Sequence, residues 1–98
     1  MIVVTSTFRS TPGNRARVTE LAQSCIEATR REKGCIRYEL FISTEDDVTL
    51  QFIEEWTDLG SLRAHIGSSH LAEFKEKRES CVEKGGVLKL FDAKETSL

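Results

Sequence analysis

CIRYELFIS (residues 35–43), STEDD (43–47) and VTLQFIEEW (48–56) follow one another in the middle of the chain. Apolar and polar residues alternate in the first and last of these segments, as in strands that bury one face. The residues expected on the buried face are Ile36, Tyr38, Leu40, Ile42, Val48, Leu50, Phe52 and Trp56. The polar segment between them is typical of a turn, so the three segments predict a β-hairpin. Glu54 interrupts the apolar face, and it either reaches water at a rim or lies in a polar pocket.

Before the hairpin, the sequence predicts a strand and a long amphipathic helix. Met1–Arg9 is rich in β-branched residues and precedes a Thr-Pro-Gly break, which is typical of a first strand. Ser10 or Thr11 can cap the following helix, and Pro12 can stand in its first turn. Gly34 is expected to end that helix. The apolar positions recur at helical spacing and are Val18, Leu21, Ala22, Cys25 and Ile26.

After the hairpin, the sequence predicts two short helices and a last strand. Candidate N-caps are Thr57 or Asp58 for the first helix and Ser68 or Ser69 for the second. Gly67 separates the two helices. The second is expected to run to Val82 before the Gly85-Gly86 pair, and Val87–Ala93 forms the last strand.

This order of elements predicts the ferredoxin-like βαββαβ fold, an α+β class with an antiparallel sheet. A chain of 98 residues is long enough for one hydrophobic core and too short for two, so we expect a single domain over residues 1–98. Helices on one face of such a sheet leave the other face to be buried. Pairing two sheets face to face in a homodimer is one simple way to bury it.

Composition excludes several classes of function. The 14 basic and 16 acidic residues give a net charge of -2, without the basic stripe that nucleic-acid binding requires. No apolar run approaches the roughly 20 residues that span a bilayer, and the first residues do not resemble a signal peptide, so we expect a cytoplasmic protein. Cys25, Cys35 and Cys81 lie far apart and form no CxxC pair, which predicts neither a disulfide framework nor a metal site.

Several short motifs together resemble a known family. They are EKGCIRYEL (32–40), EEW (54–56), Ala64-His65, Ser68-Ser69-His70 and Phe74. In this order and spacing, nearly the whole chain resembles the antibiotic biosynthesis monooxygenases.

The resemblance implies a dimeric α+β barrel that oxidises anthrones or quinols with O2 and uses no metal, flavin or haem. The expected partners are therefore O2 and a small aromatic or quinone-like substrate, and no cofactor is expected. Other members of the family degrade haem. The positions that match their tryptophan, histidine and asparagine hold His65, Lys75 and Ser6 or Thr7, so haem degradation is not expected.

His65 and His70 are the candidate catalytic residues, because imidazole has an ordinary pKa of about 6.5 and can deprotonate a substrate near neutral pH. Their spacing does not place both on one helical face, so they are not expected to bind a metal as a pair. The candidate substrate-binding residues are Tyr38, Phe52, Trp56 and Phe74. All six residues could instead have only packing roles. The chain could then be a non-catalytic aromatic-ligand binding or stress-response module, or an isomerase of a small oxygenated metabolite.

Overall fold

Four strands and three α-helices follow one another in the computed structural model, which describes residues 1–98. In chain order they are β1 (Ile2–Arg9), α1 (Arg15–Arg30), β2 (Cys35–Ile42), β3 (Thr49–Trp56), α2 (Leu59–Ile66), α3 (Ser69–Arg78) and β4 (Val87–Asp92). A single 3₁₀ turn, Glu79–Cys81, follows α3. This order confirms the predicted one, and each strand ends within one residue of its predicted bounds. No helix combines the length and the apolar character that crossing a membrane would need.

The strands form one antiparallel sheet in the order β2-β3-β1-β4, which confirms the α+β ferredoxin-like fold. The sheet is open, with β2 and β4 as its two edges, and does not close into a barrel within one chain. The predicted barrel would need a second chain and stays a prediction.

The core lies between one face of the sheet and the helices. Val4, Leu50 and Phe52 on the sheet are buried together with Val18 of α1 and Leu62 of α2. No helix covers the opposite face of the sheet, which exposes Phe41, Val87 and Phe91.

The predicted burial of Ile36 and Ile42 is wrong, since their exposed fractions are 53% and 52%. A β-bulge between Cys35 and Arg37 puts Cys35, rather than Ile36, opposite Trp56. A bulge adds one residue to a strand and changes which side chains face the core. Ile42 lies opposite the buried Leu50, but it ends an edge strand and stays half exposed.

The predicted start of α1 is also wrong, because its N-cap is Asn14 and not Ser10 or Thr11. Pro12 and Gly13 form a turn before the helix, in which the Asn14 backbone N–H donates to the Thr11 carbonyl at 3.1 Å. Gly13 has a φ of +80°, which favours glycine. The turn therefore replaces the first helical turn that was predicted at Pro12.

The other helix ends differ from the predictions in two places. Helix α1 ends at Arg30, and Gly34 lies in the connection to β2 rather than directly after the helix. Helix α3 ends at Arg78 rather than Val82, because Val82 pairs with Ser10 beside the end of β1.

The predicted caps of α2 and α3 are confirmed. The Asp58 side chain accepts from the Ser61 backbone N–H at 2.7 Å. The Ser68 hydroxyl accepts from the Leu71 backbone N–H at 3.4 Å. These caps determine where α2 and α3 begin, and therefore where the histidines on them lie.

Candidate functional site

A cavity of about 220 Å³ lies between the inner face of the sheet and helices α2 and α3. Its lining includes Ser6, Phe8, Tyr38, Phe52 and Glu54 from the sheet, and His65, Leu71, Phe74, Lys75 and Arg78 from the helices. Ile66, Lys75 and Leu88 are exposed lining residues and mark the open side. The volume is below that of a typical drug-sized pocket, so it suits a ligand of one or two rings.

The rings of Phe8, Tyr38, Phe52 and Phe74 line the cavity. The ring centroids of Tyr38 and Phe52 are 5.0 Å apart, and Phe74 meets Phe52 edge-to-face at 6.0 Å. Such offset and edge-to-face contacts are the favourable geometries for aromatic pairs. The structure therefore brings three of the four predicted substrate-binding residues to one cavity.

Trp56, the fourth, does not line the cavity. It is fully buried, and its ring centroid lies 4.9 Å from that of His65. Its indole Nε1 donates to Glu54 Oε1 at 3.0 Å. Trp56 therefore supports two residues of the cavity wall and does not contact the cavity itself.

Glu54 is buried at the cavity wall, which excludes the placement in water at a rim that the sequence left open. Its side chain lines the cavity and its exposed fraction is only 5%. Burial raises the pKa of Glu54 to about 6, against the opposing effect of the Trp56 hydrogen bond. Alternation along β3 located this residue on the inner face but gave it no role.

His65 is a buried residue of the cavity wall, with an exposed fraction of 1%. Its Nδ1 lies 2.9 Å from Glu32 Oε2. Because an ionised carboxylate only accepts hydrogen bonds, Nδ1 carries the proton and Nε2 carries the lone pair. Burial lowers the pKa of His65 below its usual range, and Glu32 opposes this only in part. The arrangement yields a neutral imidazole with a free Nε2.

His70 lies outside the cavity lining, and it contacts the other oxygen of the same carboxylate. Its Nε2 is 2.8 Å from Glu32 Oε1. The ring nitrogen is poorly aimed at that oxygen, so this close contact is not a well-formed hydrogen bond. The two predicted histidines therefore meet through Glu32, to which the sequence assigned no function although it begins one of the family motifs.

Glu32, His65 and His70 also form the one group of side chains that could hold a metal ion, with donor atoms within 4.8 Å of one another. Two imidazoles and a carboxylate are ligands that Zn²⁺ or Fe²⁺ accepts. Both imidazoles already contact the carboxylate oxygens, so the group is also complete without an ion. The predicted absence of a metal is therefore best tested at this group.

Residues 1–77 match the family model for antibiotic biosynthesis monooxygenases. A protein of Synechocystis sp. (strain ATCC 27184 / PCC 6803 / Kazusa), the uncharacterized sll1783, is 30% identical over 95 residues, or 97% of this chain and 65% of that protein. The chain thus spans less than two thirds of that relative's length. YcnE of Bacillus subtilis, named provisionally as a monooxygenase, is 29% identical over 77 residues, or 79% of this chain and 81% of that protein.

A solved structure agrees with the sequence comparisons. A crystal structure described as an antibiotic biosynthesis monooxygenase matches with a TM-score of 0.87 at 28% identity, over 97% of this chain and 100% of that one. The fold and the sequence lead to the same assignment. The chain belongs to the antibiotic biosynthesis monooxygenase family.

Proposed function

We propose that this chain acts as a cytoplasmic, homodimeric, cofactor-independent monooxygenase that oxidises a small phenolic, quinol or anthrone-like substrate with O2. Membership of the family supports a monooxygenase type of function in general. The aromatic wall of the cavity supports an aromatic substrate, and its volume favours the smaller phenols and quinols of this class over a three-ring anthrone. Three free cysteines fit a reducing compartment such as the cytoplasm.

The contact between His65 and Glu32 is the observation that carries the proposal. Glu32 accepts from Nδ1 at 2.9 Å and so orients the ring and selects its tautomer. Nε2 is then a base on a residue that lines the cavity, in the arrangement by which a carboxylate commonly supports a catalytic histidine. His70, on the other oxygen, holds the carboxylate in place.

The reaction needs only a base, an electron-rich substrate and O2. For a substrate with an acidic CH2 group, Nε2 takes one proton and the electron pair stays on the substrate as an enolate. The enolate carbon transfers an electron to O2 and then bonds to it, and the proton on Nε2 passes to the resulting peroxide. The O–O bond breaks as the second C–H proton leaves, so CH2 and O2 become C=O and water.

The other residues of the cavity shape the substrate site and exclude water from it. Tyr38, Phe52 and Phe74 form an apolar wall that keeps water from the enolate. Trp56 does not contact the substrate, and it holds Glu54 and His65 in position through its contacts with them. These assignments make Trp56 and His70 positioning residues, whereas His65 is the catalytic base.

The test is O2 uptake by purified protein supplied with anthrone or reduced menadione. The wild-type protein should accelerate uptake, and His65→Ala should lose roughly 10²- to 10⁴-fold of the acceleration, the usual contribution of a general base. Glu32→Gln should lose part of it, because glutamine offers an acceptor oxygen to only one of the two histidines. Protein dialysed against a strong chelator should keep full activity.

Glu73→Gln is the matched control, since Glu73 is exposed on α3 and binds only Lys77, at 2.7 Å. No acceleration with a panel of such substrates, or an unchanged rate in His65→Ala, contradicts the proposal. Thermal stabilisation by the substrate without O2 uptake would indicate a binding module instead. Product formed without O2 would indicate an isomerase.

A further inference from the structure

Arg78 is the last residue of α3, and its guanidinium lies against two aromatic rings of the cavity wall. Its Cζ is 4.7 Å from the ring centroid of Phe8 and 4.8 Å from that of Phe74. Both distances are within the range of cation–π attraction. This attraction positions the guanidinium and leaves its positive charge unneutralised. Arg78 itself lines the cavity. It is therefore a cation held at the cavity wall by apolar neighbours.

No carboxylate or carbonyl of the protein binds the Arg78 guanidinium. Arg37, which is more exposed, contacts the carboxylates of both Glu39 and Glu55. Arg15 binds two backbone carbonyls and contacts Asp46. Arg78 has neither kind of partner, although it is largely buried and burial lowers its pKa. A guanidinium has five N–H donors, and those of Arg78 are left for water or a ligand.

The charges around the cavity do not neutralise Arg78. Glu54, the acidic residue of the lining, accepts from Trp56 and makes no ion pair with Arg78. Lys75 adds a second cation at the open side. An anionic group in this cavity would therefore meet an unpaired guanidinium in a partly desolvated place, where a charge-assisted hydrogen bond is strongest.

We propose that Arg78 forms a carboxylate-binding subsite of the cavity, and that the ligand is an aromatic acid of one or two rings. A carboxylate matches the fork of the guanidinium with two parallel hydrogen bonds. The aromatic part then lies along Phe52 and Phe74, and the acidic C–H or O–H is presented to His65. This inference rests on the proposed function in one respect, namely that this cavity is the substrate site. Arg78 also lies just beyond the residues that match the family model, 1–77.

The experiment measures binding of three probes by calorimetry under anaerobic conditions, where no oxidation interferes. The probes are 1-hydroxy-2-naphthoate, its primary amide, and 1-naphthol, which lacks the carboxylate. The wild-type protein should bind the acid roughly 10- to 100-fold more tightly than the amide or the naphthol, as expected for hydrogen bonds to a charged partner. Equal affinity for acid and amide would overturn the proposal. Equal affinity for acid and naphthol would overturn it as well, because the carboxylate would then contribute nothing to binding.

Three variants test whether Arg78 causes the preference for the acid over the amide. Arg78→Met keeps the length of the side chain without its charge and should reduce the ratio of acid to amide affinity to about one. Arg78→Lys keeps the charge without the fork and should retain an intermediate ratio. Arg63→Met removes the same charge from an exposed position on α2 and should leave the ratio as in the wild type. A full ratio in Arg78→Met contradicts the subsite.

If Arg78→Met fails to fold, which circular dichroism would show, the wild-type ratio and Arg78→Lys still decide the matter. The outcome is also separate from that of the proposed function. An acid that binds through Arg78 and is never oxidised supports the subsite and contradicts the monooxygenase. O2 uptake at equal rates with the acid and with its amide supports the monooxygenase and contradicts the subsite.

Discussion

At the scale of single residues, burial acts in opposite directions on the two titratable groups that matter most. Burial disfavours a charge, so it raises the pKa of Glu54 and lowers the pKa of His65. The two groups are then an anion and a neutral base at neutral pH. Trp56 links them, since it donates to Glu54 and packs on the His65 ring.

Glu54 predicts a specific dependence of stability on pH. Its pKa is about 6 in the folded chain against an ordinary value of 4.5, so the folded chain holds the proton more tightly than the unfolded chain. The stability that this provides is present below about 4.5 and is lost as the pH rises to about 6. The loss is about 2 kcal/mol, at 1.36 kcal/mol for each pKa unit. Glu54→Gln keeps the oxygen that accepts from Trp56 but does not titrate, so it should not lose this stability as the pH rises.

Urea unfolding of the wild type and of Glu54→Gln at pH 4.5 and pH 7.5 measures this pH dependence of stability. Relative to the wild type, the variant should gain about 2 kcal/mol of unfolding free energy between the two pH values. Glu73→Gln is the control, because the Glu73 carboxyl is exposed and Lys77 lowers its pKa. A constant difference between wild type and Glu54→Gln at both pH values would show that Glu54 titrates normally.

At the scale of elements, the connection from α1 to β2 sets the distance between the base and its carboxylate. This connection carries Glu32, and the start of α2 packs directly against it. The Gly34 carbonyl accepts from the Thr57 backbone N–H at 2.9 Å. A Cβ on Gly34 would lie 2.6 Å from the Cβ of Ser61 and 2.7 Å from the hydroxyl of Thr57. The close approach is possible only because residue 34 has no side chain.

Gly34→Ala and Gly13→Ala form a matched pair that tests this. Both glycines have a positive φ, +84° and +80°, but nothing lies within 4 Å of a Cβ at Gly13. Gly13→Ala should therefore cost only the backbone strain, roughly 1–2 kcal/mol of unfolding free energy. Gly34→Ala should cost clearly more, and it should also slow O2 uptake by displacing α2 from Glu32. Equal losses of stability in urea would contradict this role of Gly34.

The order of elements could be predicted because each has a local signal: alternation in the hairpin, helical spacing in α1, and the side-chain caps Asp58 and Ser68. The errors lie where a distant contact overrides the local signal. The bulge at Cys35 moves Ile36 out of the core, and Val82 leaves the helical pattern to pair with Ser10.

The candidate site could be predicted in part for the same reason. Alternation and helical spacing put Tyr38, Phe52 and Phe74 on the inner faces, and the structure brings them together. The contact between Glu32 and His65 joins residues 33 positions apart, and patterns of neighbouring residues carry no information about it. The sequence assigned no function to Arg78, because its lack of an ion partner is visible only in three dimensions.

At the scale of the whole molecule, the uncovered face of the sheet is the feature left to explain. The strand register puts Phe91 beside Val3, and Phe41 beside Gln51, on the face away from the helices. Phe91 is 49% exposed and Val87 is 53% exposed on the same face. Large exposed apolar side chains on a face that no helix covers, mixed with polar ones such as Gln51, fit a partly polar protein interface. This supports the proposed homodimer, in which the same face of each chain would meet around a two-fold axis.

The dimer predicts a mass of twice 11.1 kDa by analytical ultracentrifugation at micromolar concentration. Phe91→Glu should shift the protein toward the monomer, because the dimer would bury two like charges without partners. Leu59→Glu makes the same substitution on α2, at a partly exposed residue on the helical side, and should leave the mass unchanged. Wild-type protein that sediments as an 11.1 kDa species would contradict the dimer. A dimer that Leu59→Glu dissociates and Phe91→Glu does not would place the interface on the helices.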